Sequence, residues 1–412
     1  MLEAIYPREF YLNKIRGFYH SDLIKVISGI RRCGKSFFLK SVIGDLQKNG
    51  VKADDIVYLN LDQRGFRRVD TPDKLEQLLF ARIPENSTRK YVFIDEIQNV
   101  RDFEPVVNAL REDGHSLFIT GSNSYLLSGE LATKLTGRYI EIEMLPLSFY
   151  EFLGMKKFLG QNTAENLTIE FTQYLRQGGL PKTLEFSGEE ERQFYVKEII
   201  EQIFVKDISA RKKIKNRLLF EKVRTYIINN FGATFSVSAI VRYFRDKLQI
   251  NVTNLTISNY LELLEKAKII YRCPRFDLKS KKSLQTEQKY YLADMGIYYA
   301  LNTDNRINYG PALENVMFTQ FRAQGLRVSV GRIGKLECDF ILRRDSTRYA
   351  YVQVAMSVAD PVTEEREYRV LEKIPDNYPK YVFTLDPLPQ ERNGIKHLNI
   401  VEYLANPEPQ LL

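Results

Sequence analysis

The segment "SGIRRCGKS" at residues 28–36 sets Gly29, Gly34, Lys35 and Ser36 in the spacing G-x-x-x-x-G-K-S. This spacing suits a loop whose backbone N–H groups wrap a phosphate chain, and the run Gly29, Ile30, Arg31, Arg32, Cys33, Gly34, Lys35, Ser36 and Phe37 supplies that wrap. Lys35 is expected to reach the β- and γ-phosphates and the Ser36 hydroxyl to ligate Mg²⁺. A second group, "KYVFIDEIQN", puts Asp95 and Glu96 at the end of an apolar run. Asp95 is expected to serve the Mg²⁺ from behind its first layer of ligands, and Glu96 to polarise an attacking water. An Asp-Glu pair can also cap a helix, but the companion loop argues for chemistry. In "HSLFITGSNS" the candidates are Ser122 and Asn123, either as partners of the γ-phosphate and the water or as an ordinary turn. Arg138 in "LTGRYIEIEM" is read as an arginine finger acting in cis or in trans, or else as a surface ion pair. The reaction these residues suit is hydrolysis of a nucleoside triphosphate. No separate guanine-specifying motif is evident, so ATP is expected.

Such residues need a strand before the loop, a helix after it, and a parallel sheet to bring the two acidic and basic groups to one edge. "LIKVIS" reads as the strand, and "KSFFLKSVIGDLQKNG" carries helical spacing at Phe38, Leu39, Val42, Ile43 and Leu46 with Gly50 as its stop. With "DIVYLNLD", "KYVFID", "HSLFIT" and "RYIEIEM" this gives five strands and an α/β fold, a P-loop NTPase parallel sheet with helices on both faces.

On "GIRRCGKS", "FIDEIQN", "FITGSNS", "LTGRY", "PLSFYEF" and "QGGLPKTLE", the sequence resembles the AAA-superfamily ATPases of bacteria and archaea that carry a C-terminal domain of unknown function. The resemblance runs over nearly the whole chain and implies a P-loop ATPase domain over 1–147 and a small helical lid over 148–212. Gly178, Gly179 and Pro181 mark a turn between lid helices.

Residues 213–296 resemble a winged helix-turn-helix. Helical spacing covers "LLFEKVRTYIINNFG", "SVSAIVRYFRDKL" and "TNLTISNYLELLEKAKII". In the third, Leu255, Ile257, Tyr260, Leu261, Leu264 and Ala267 are expected to form a buried stripe, leaving Thr253, Asn254, Thr256, Ser258 and Asn259 polar. Two strands joined by the basic loop "KSKKSLQTEQ" would form the wing. Short polar residues suit a major groove and lysines suit phosphates, so DNA is the expected partner. The basic stretch 206–217 could add to that face, although such clusters also occur as solvated helix surfaces.

Residues 297–412 are similar to the PD-(D/E)XK nuclease fold in its Holliday-junction-resolvase-like form. The likeness matches Glu314 to the helix acid and Asp339 to the metal aspartate; Gln353 stands where Glu is expected, and Ala355 where Lys is expected. Gln353 can ligate a metal without charge, but Ala355 can neither orient water nor stabilise developing charge. Lys335 is a possible substitute. The favoured reading is a catalytically degenerate scaffold in which Glu314 serves the helix dipole from the first turn and Asp339 pairs with an arginine.

The 412 residues carry 60 basic and 52 acidic side chains, a net charge of +8 that permits a polyanionic partner without requiring one. Three scattered cysteines suggest neither a disulfide framework nor a zinc site, and no apolar run suits a signal peptide or a membrane span. A cytoplasmic ATPase is expected, with nucleotide state controlling its engagement of DNA and a possible homo-oligomer. The alternatives are an ATP-gated switch acting on a protein partner, and an ATP-dependent DNA endonuclease with an atypical metal site.

Overall fold

The computed structural model describes residues 5–84, 88–121, 134–135, 137–209, 214–280, 282–302 and 308–412. They form two compact units. One comprises the chain up to Leu145 together with the returning segment that starts at Ile203, and the other takes the rest.

The first unit holds a parallel sheet in the order β2-β3-β4-β1-β5, built from β1 (Ile24–Gly29), β2 (Ile56–Asn60), β3 (Tyr91–Asp95), β4 (Ser116–Thr120) and β5 (Tyr139–Met144). Every residue of β1, β3 and β4 is buried, as both faces of such a sheet are covered. Helices α1 (Glu9–Arg16), α2 (Lys35–Lys48), α3 (Pro72–Phe80) and α4 (Glu104–Glu112) supply the cover. Lys25, the second residue of β1, is a buried charge in this apolar pattern. Its ammonium donates to Ser116 Oγ at 2.9 Å and to the Ser21 carbonyl at 3.1 Å, and burial pushes its pKa down to about 7.

The second unit begins with α5 (Phe149–Phe158), closed by a reciprocal capping box between Ser148 and Glu151. It continues through α6 (Leu167–Gln177), α7 (Glu189–Gln202), α8 (Arg217–Asn229), α9 (Val237–Leu248) and α10 (Asn254–Lys266). A nine-stranded sheet then runs β13-β14-β12-β11-β10-β9-β7-β8-β6. Its strands are β6 (Thr234–Phe235), β7 (Ile270–Asp277), β8 (Lys282–Leu292), β9 (Arg327–Ile333), β10 (Leu336–Arg343), β11 (Tyr349–Val354), β12 (Lys380–Thr384), β13 (Glu391–Arg392) and β14 (Ile395–Asn399). Helices α11 (Met295–Leu301), α12 (Tyr309–Ala323), α13 (Pro361–Glu372) and α14 (Ile400–Ala405) complete the unit. Because β7 pairs in parallel with β9, one sheet passes through the expected boundary at 296/297.

Two local expectations are corrected. Leu255 is 71% exposed rather than part of the α10 stripe, because it lies in the first turn ahead of buried Ile257, Tyr260, Leu261 and Leu264. The expected wing loop is mostly strand: Asp277 already pairs with Lys282, so the hairpin turns within about four residues.

Gly179 and Asp294 explain the break after α6. A Cβ at Gly179 would lie 2.2 Å from the Leu147 carbonyl oxygen, so a side chain has no room there. The buried Asp294 carboxylate accepts from the Gly179 amide at 2.6 Å and from the Gly296 amide at 2.8 Å, which ties the turn to the start of α11. Burial pushes the Asp294 carboxyl up to about 6 against the pull of those amides. That value lies above the unfolded one, so its contribution to stability is full below pH about 4 and fades as pH rises through the folded value. Asp294→Ala leaves two buried amides without an acceptor and is expected to cost about 2–4 kcal/mol. Urea unfolding followed by circular dichroism checks this, and a loss below about 0.5 kcal/mol, the size of an ordinary surface change, would contradict the clamp.

Candidate nucleotide site and a second carboxylate cluster

The end of β1 and the start of α2 place the loop 29–36 at the carboxyl edge of the parallel sheet, where such folds bind ligands. Gly29 has φ 144° and packs so closely that a Cβ would meet the Met144 carbonyl oxygen at 2.2 Å. Gly34, at φ 103°, opens α2. The buried Lys35 ammonium donates to the Gly29 carbonyl at 3.0 Å and to the Ile30 carbonyl at 3.3 Å, so it is held over its own loop. Ser36 is half-buried in the first turn of α2, Cys33 is buried, and Arg32 and Phe37 are exposed.

Strand β3 brings Asp95 to the same edge. Asp95 is fully buried; Thr120 Oγ1 donates to its Oδ1, and Tyr58 donates to its Oδ2 at 3.2 Å. Glu96 follows in the left-handed conformation at φ 58° and ψ 46°, which turns the chain out of the strand. Its amide donates to Thr120 Oγ1 at 3.1 Å, and its carboxylate accepts from Gln98. One threonine at the end of β4 thereby contacts both members of the acidic pair.

Three residues that sequence reasoning does not place at the site are Thr120, Arg8 and Asp207. Thr120, the last residue of β4, joins the acidic pair; Ser122 and Asn123, the candidates for the γ-phosphate and the water, lie outside the described residues. The available signal was a hydroxyl in the last position of an apolar strand. Buried Arg8 donates to the Leu145 carbonyl at 2.8 Å and the Cys33 carbonyl at 3.3 Å, bracing the loop from the start of α1. Arg31 pairs with Asp207, 176 residues later. No local pattern marks Arg8 or Asp207.

Arg138 stands elsewhere. It precedes β5, its carbonyl accepts from the Ile24 amide at the start of β1, and its exposed side chain lies 3.7 Å from Glu112. Gly29 pairs with Met144 five strand positions further along, roughly 16 Å away. The cis role is therefore corrected: Arg138 does not reach the loop of its own chain.

In the second unit, α12 and β10 bring Glu314, Glu337 and Asp339 around one ammonium. Lys289 of β8 lies 2.9 Å from Glu314 Oε2, 3.0 Å from Glu337 Oε1 and 3.9 Å from Asp339 Oδ1. Burial alone would push Lys289 toward neutrality, but the charges of Glu314, Asp339 and Glu337 outweigh it and raise its pKa. Burial, and next the charge on Glu314, push the Asp339 carboxyl well above the usual range. Gln353 Oε1 accepts from the Asp339 amide at 2.7 Å, and Gln353 Nε2 donates to Glu367 at 2.7 Å. Several expectations change as a result. Helix α12 starts at Tyr309, so Glu314 lies beyond its first turn, and Asp339 pairs with a lysine rather than an arginine. Lys335 is exposed in the turn before β10 and takes no part. Ala355 follows the last residue of β11.

A parallel sheet with this loop, a buried aspartate and an adjacent glutamate at one edge defines a P-loop ATPase fold. Residues 21–153 match the family model described as an AAA domain, and residues 168–307 match one described as a domain of unknown function. An uncharacterized protein of Haemophilus influenzae is 34% identical over 98% of this chain and 100% of its own length. Another, of Methanocaldococcus jannaschii, is 31% identical over 85% of this chain and 78% of its own. The chain belongs to the family of these relatives, and its first domain to the AAA superfamily of P-loop ATPases. Among solved structures, a Walker-type ATPase of Pyrococcus abyssi aligns at 16% identity with a TM-score of 0.48, covering 73% of this chain and 99% of that one. The ORC1 protein of Aeropyrum pernix, solved in complex with DNA, aligns at 14% identity and a TM-score of 0.35, covering 73% and 93%. At these scores neither adds to the assignment. Among the described residues, no helix is long and apolar enough to cross a membrane.

Proposed function

We propose that this chain hydrolyses ATP with Mg²⁺ and that the nucleotide state controls its engagement of DNA. The observation that carries the hydrolytic part is the Thr120 hydroxyl joined to both Asp95 and Glu96 at the sheet edge that also bears the loop. Ser36 and, through water, Asp95 would hold Mg²⁺, which supplies charge neutralisation on the phosphates. The donor set fits a hard cation: a free hydroxyl and a carboxylate already oriented by two hydroxyls. Lys35, seated over the loop, is poised to exchange its carbonyl partners for phosphate oxygens. Glu96, turned outward by its left-handed backbone, is the group to orient and polarise water, with Gln98 steadying the carboxylate. Asn123 keeps its proposed place beside the γ-phosphate. Arg138, at the opposite edge, would serve only the nucleotide of a neighbouring subunit, so its role goes with a homo-oligomer.

DNA engagement is proposed for the α8–β8 region, read as a winged helix. Asn254, Leu255 and Ser258 are exposed at the start of α10, giving two polar groups and one apolar contact of the kind that reads base edges. Lys279 is exposed in the tight turn of the β7–β8 hairpin. Of the basic stretch 206–217, Lys206 and Lys215 are exposed, whereas Arg217 is engaged by Glu201 and Glu221. The C-terminal region is read as a degenerate nuclease-like binding scaffold, because the chain's own lysine stands among the carboxylates that a metal nuclease would need for its ion.

Steady-state ATP hydrolysis, measured alone and with duplex, single-stranded and branched DNA, tests both parts against a Glu96→Gln blank. Stimulation by DNA is expected. Clear hydrolysis that ignores every DNA would transfer the second half of the reading to a protein partner.

A further inference from the structure

We infer that Asp207 is a positioning residue for the nucleotide site, acting through Arg31 as a latch that phosphate must displace; this rests on the proposed ATP reading. Arg31 is the third residue of the phosphate loop, and its side chain does not point away from the body of the unit. The guanidinium takes both oxygens of one carboxylate, Nε to Oδ2 at 3.0 Å and Nη2 to Oδ1 at 3.2 Å. The side chains are 13% and 4% exposed, so water offers Asp207 little alternative partnership. A forked contact of this kind is the one a guanidinium also makes with phosphate, and either anion satisfies the same donors.

The segment that delivers Asp207 is unusual. Residues Ile203–Ser209 follow α7 as a π-helix, a form that is rare and recurs at functional places. Ile203, Phe204, Asp207 and Ile208 are buried, while Val205 and Lys206 face outward. After leaving the first unit at residue 145, the chain returns to it for this stretch. The charges on Glu96 and Asp62 also bear on the Arg31 guanidinium, so the arginine lies in the field of the residue assigned to water activation.

The Asp207 carboxylate therefore fills the place on Arg31 that a phosphate oxygen would take. A triphosphate entering the loop competes for that guanidinium, and the cost of breaking the pair lowers its apparent affinity. Winning the competition frees the 203–209 segment, which leads directly into the rest of the chain. The latch thus links occupancy of the loop to the position of a segment 176 residues away in sequence.

The test is a titration of the full chain with MgATP and with MgADP, followed calorimetrically, for wild type, Asp207→Asn, Asp207→Glu, Arg31→Ala and the Arg31→Ala/Asp207→Asn pair. Asp207→Asn removes the competing charge at constant shape and is expected to tighten MgATP binding on the order of tenfold. Asp207→Glu should return affinity toward wild type. In the Arg31→Ala background the second change should do nothing, which a merely structural role for Asp207 would not predict. Hydrogen exchange over 203–209 should rise when MgATP is added to wild type. Weaker binding by Asp207→Asn, or an undiminished effect without Arg31, overturns the latch while leaving the ATP site intact. A wild type that binds no MgATP overturns both.

Discussion

Replacing Glu96 by glutamine is expected to lower steady-state ATP turnover by about 10²–10⁴-fold while leaving MgATP affinity nearly unchanged. Glutamine keeps the shape and can still accept one hydrogen bond from Gln98, but its neutral amide cannot draw a proton from water. Nucleotide affinity should survive because the contacts assigned to binding come from other residues: the 29–37 backbone, Lys35 and Ser36. Thr120→Val supplies the complementary case. It removes the hydroxyl that donates to Asp95 and accepts from the Glu96 amide, so it should lower turnover through position rather than chemistry. Loss of affinity in Glu96→Gln, equal to its loss of turnover, would place Glu96 in binding instead.

The parallel sheet and its loop were legible because local chemistry and periodicity agree there. Apolar strands end in residues whose types have few other uses, and the loop follows its strand without interruption. Thr120 shows where that legibility ends. A threonine closing an apolar strand has ordinary β propensity, so nothing local separates a catalytic neighbour from a strand terminus. The contacts of Arg8 and the Arg31–Asp207 pair are harder still, since each forms only when distant segments meet. Strand register corrected Arg138, because a sequence places it before β5 but does not say which edge of the sheet that end occupies. The β7–β8 hairpin departs from expectation for a different reason. Its lysines, serine and glutamines read as a loop by composition, while backbone pairing extends the strand through them. Lys289 escapes sequence reading because it sits in β8, 25 residues before the α12 glutamate that it neutralises.

Lys289→Met should be among the most destabilising single changes in the second unit, by about 3–5 kcal/mol near neutral pH. Methionine fills much of the lysine stem but leaves Glu314, Glu337 and Asp339 crowded in a largely buried place without their shared cation. The pH dependence of the loss follows from Asp339. Burial and the Glu314 charge already hold its folded-state pKa above the unfolded value, and removal of Lys289 pushes it higher. A carboxyl raised in this way favours the folded form most when protonated, below the unfolded pKa of about 4, and loses that contribution as pH rises through its folded value. The variant should therefore recover toward wild type on acidification and fall further behind as pH increases. Urea midpoints for both proteins at several pH values between acid and neutral measure the difference directly. Adding Asp339→Asn to Lys289→Met should restore part of the stability at neutral pH, because one of the uncompensated charges is then gone. A pH-independent gap between variant and wild type would instead assign the loss to packing of the lysine stem, and the carboxylates would not be held together by its charge.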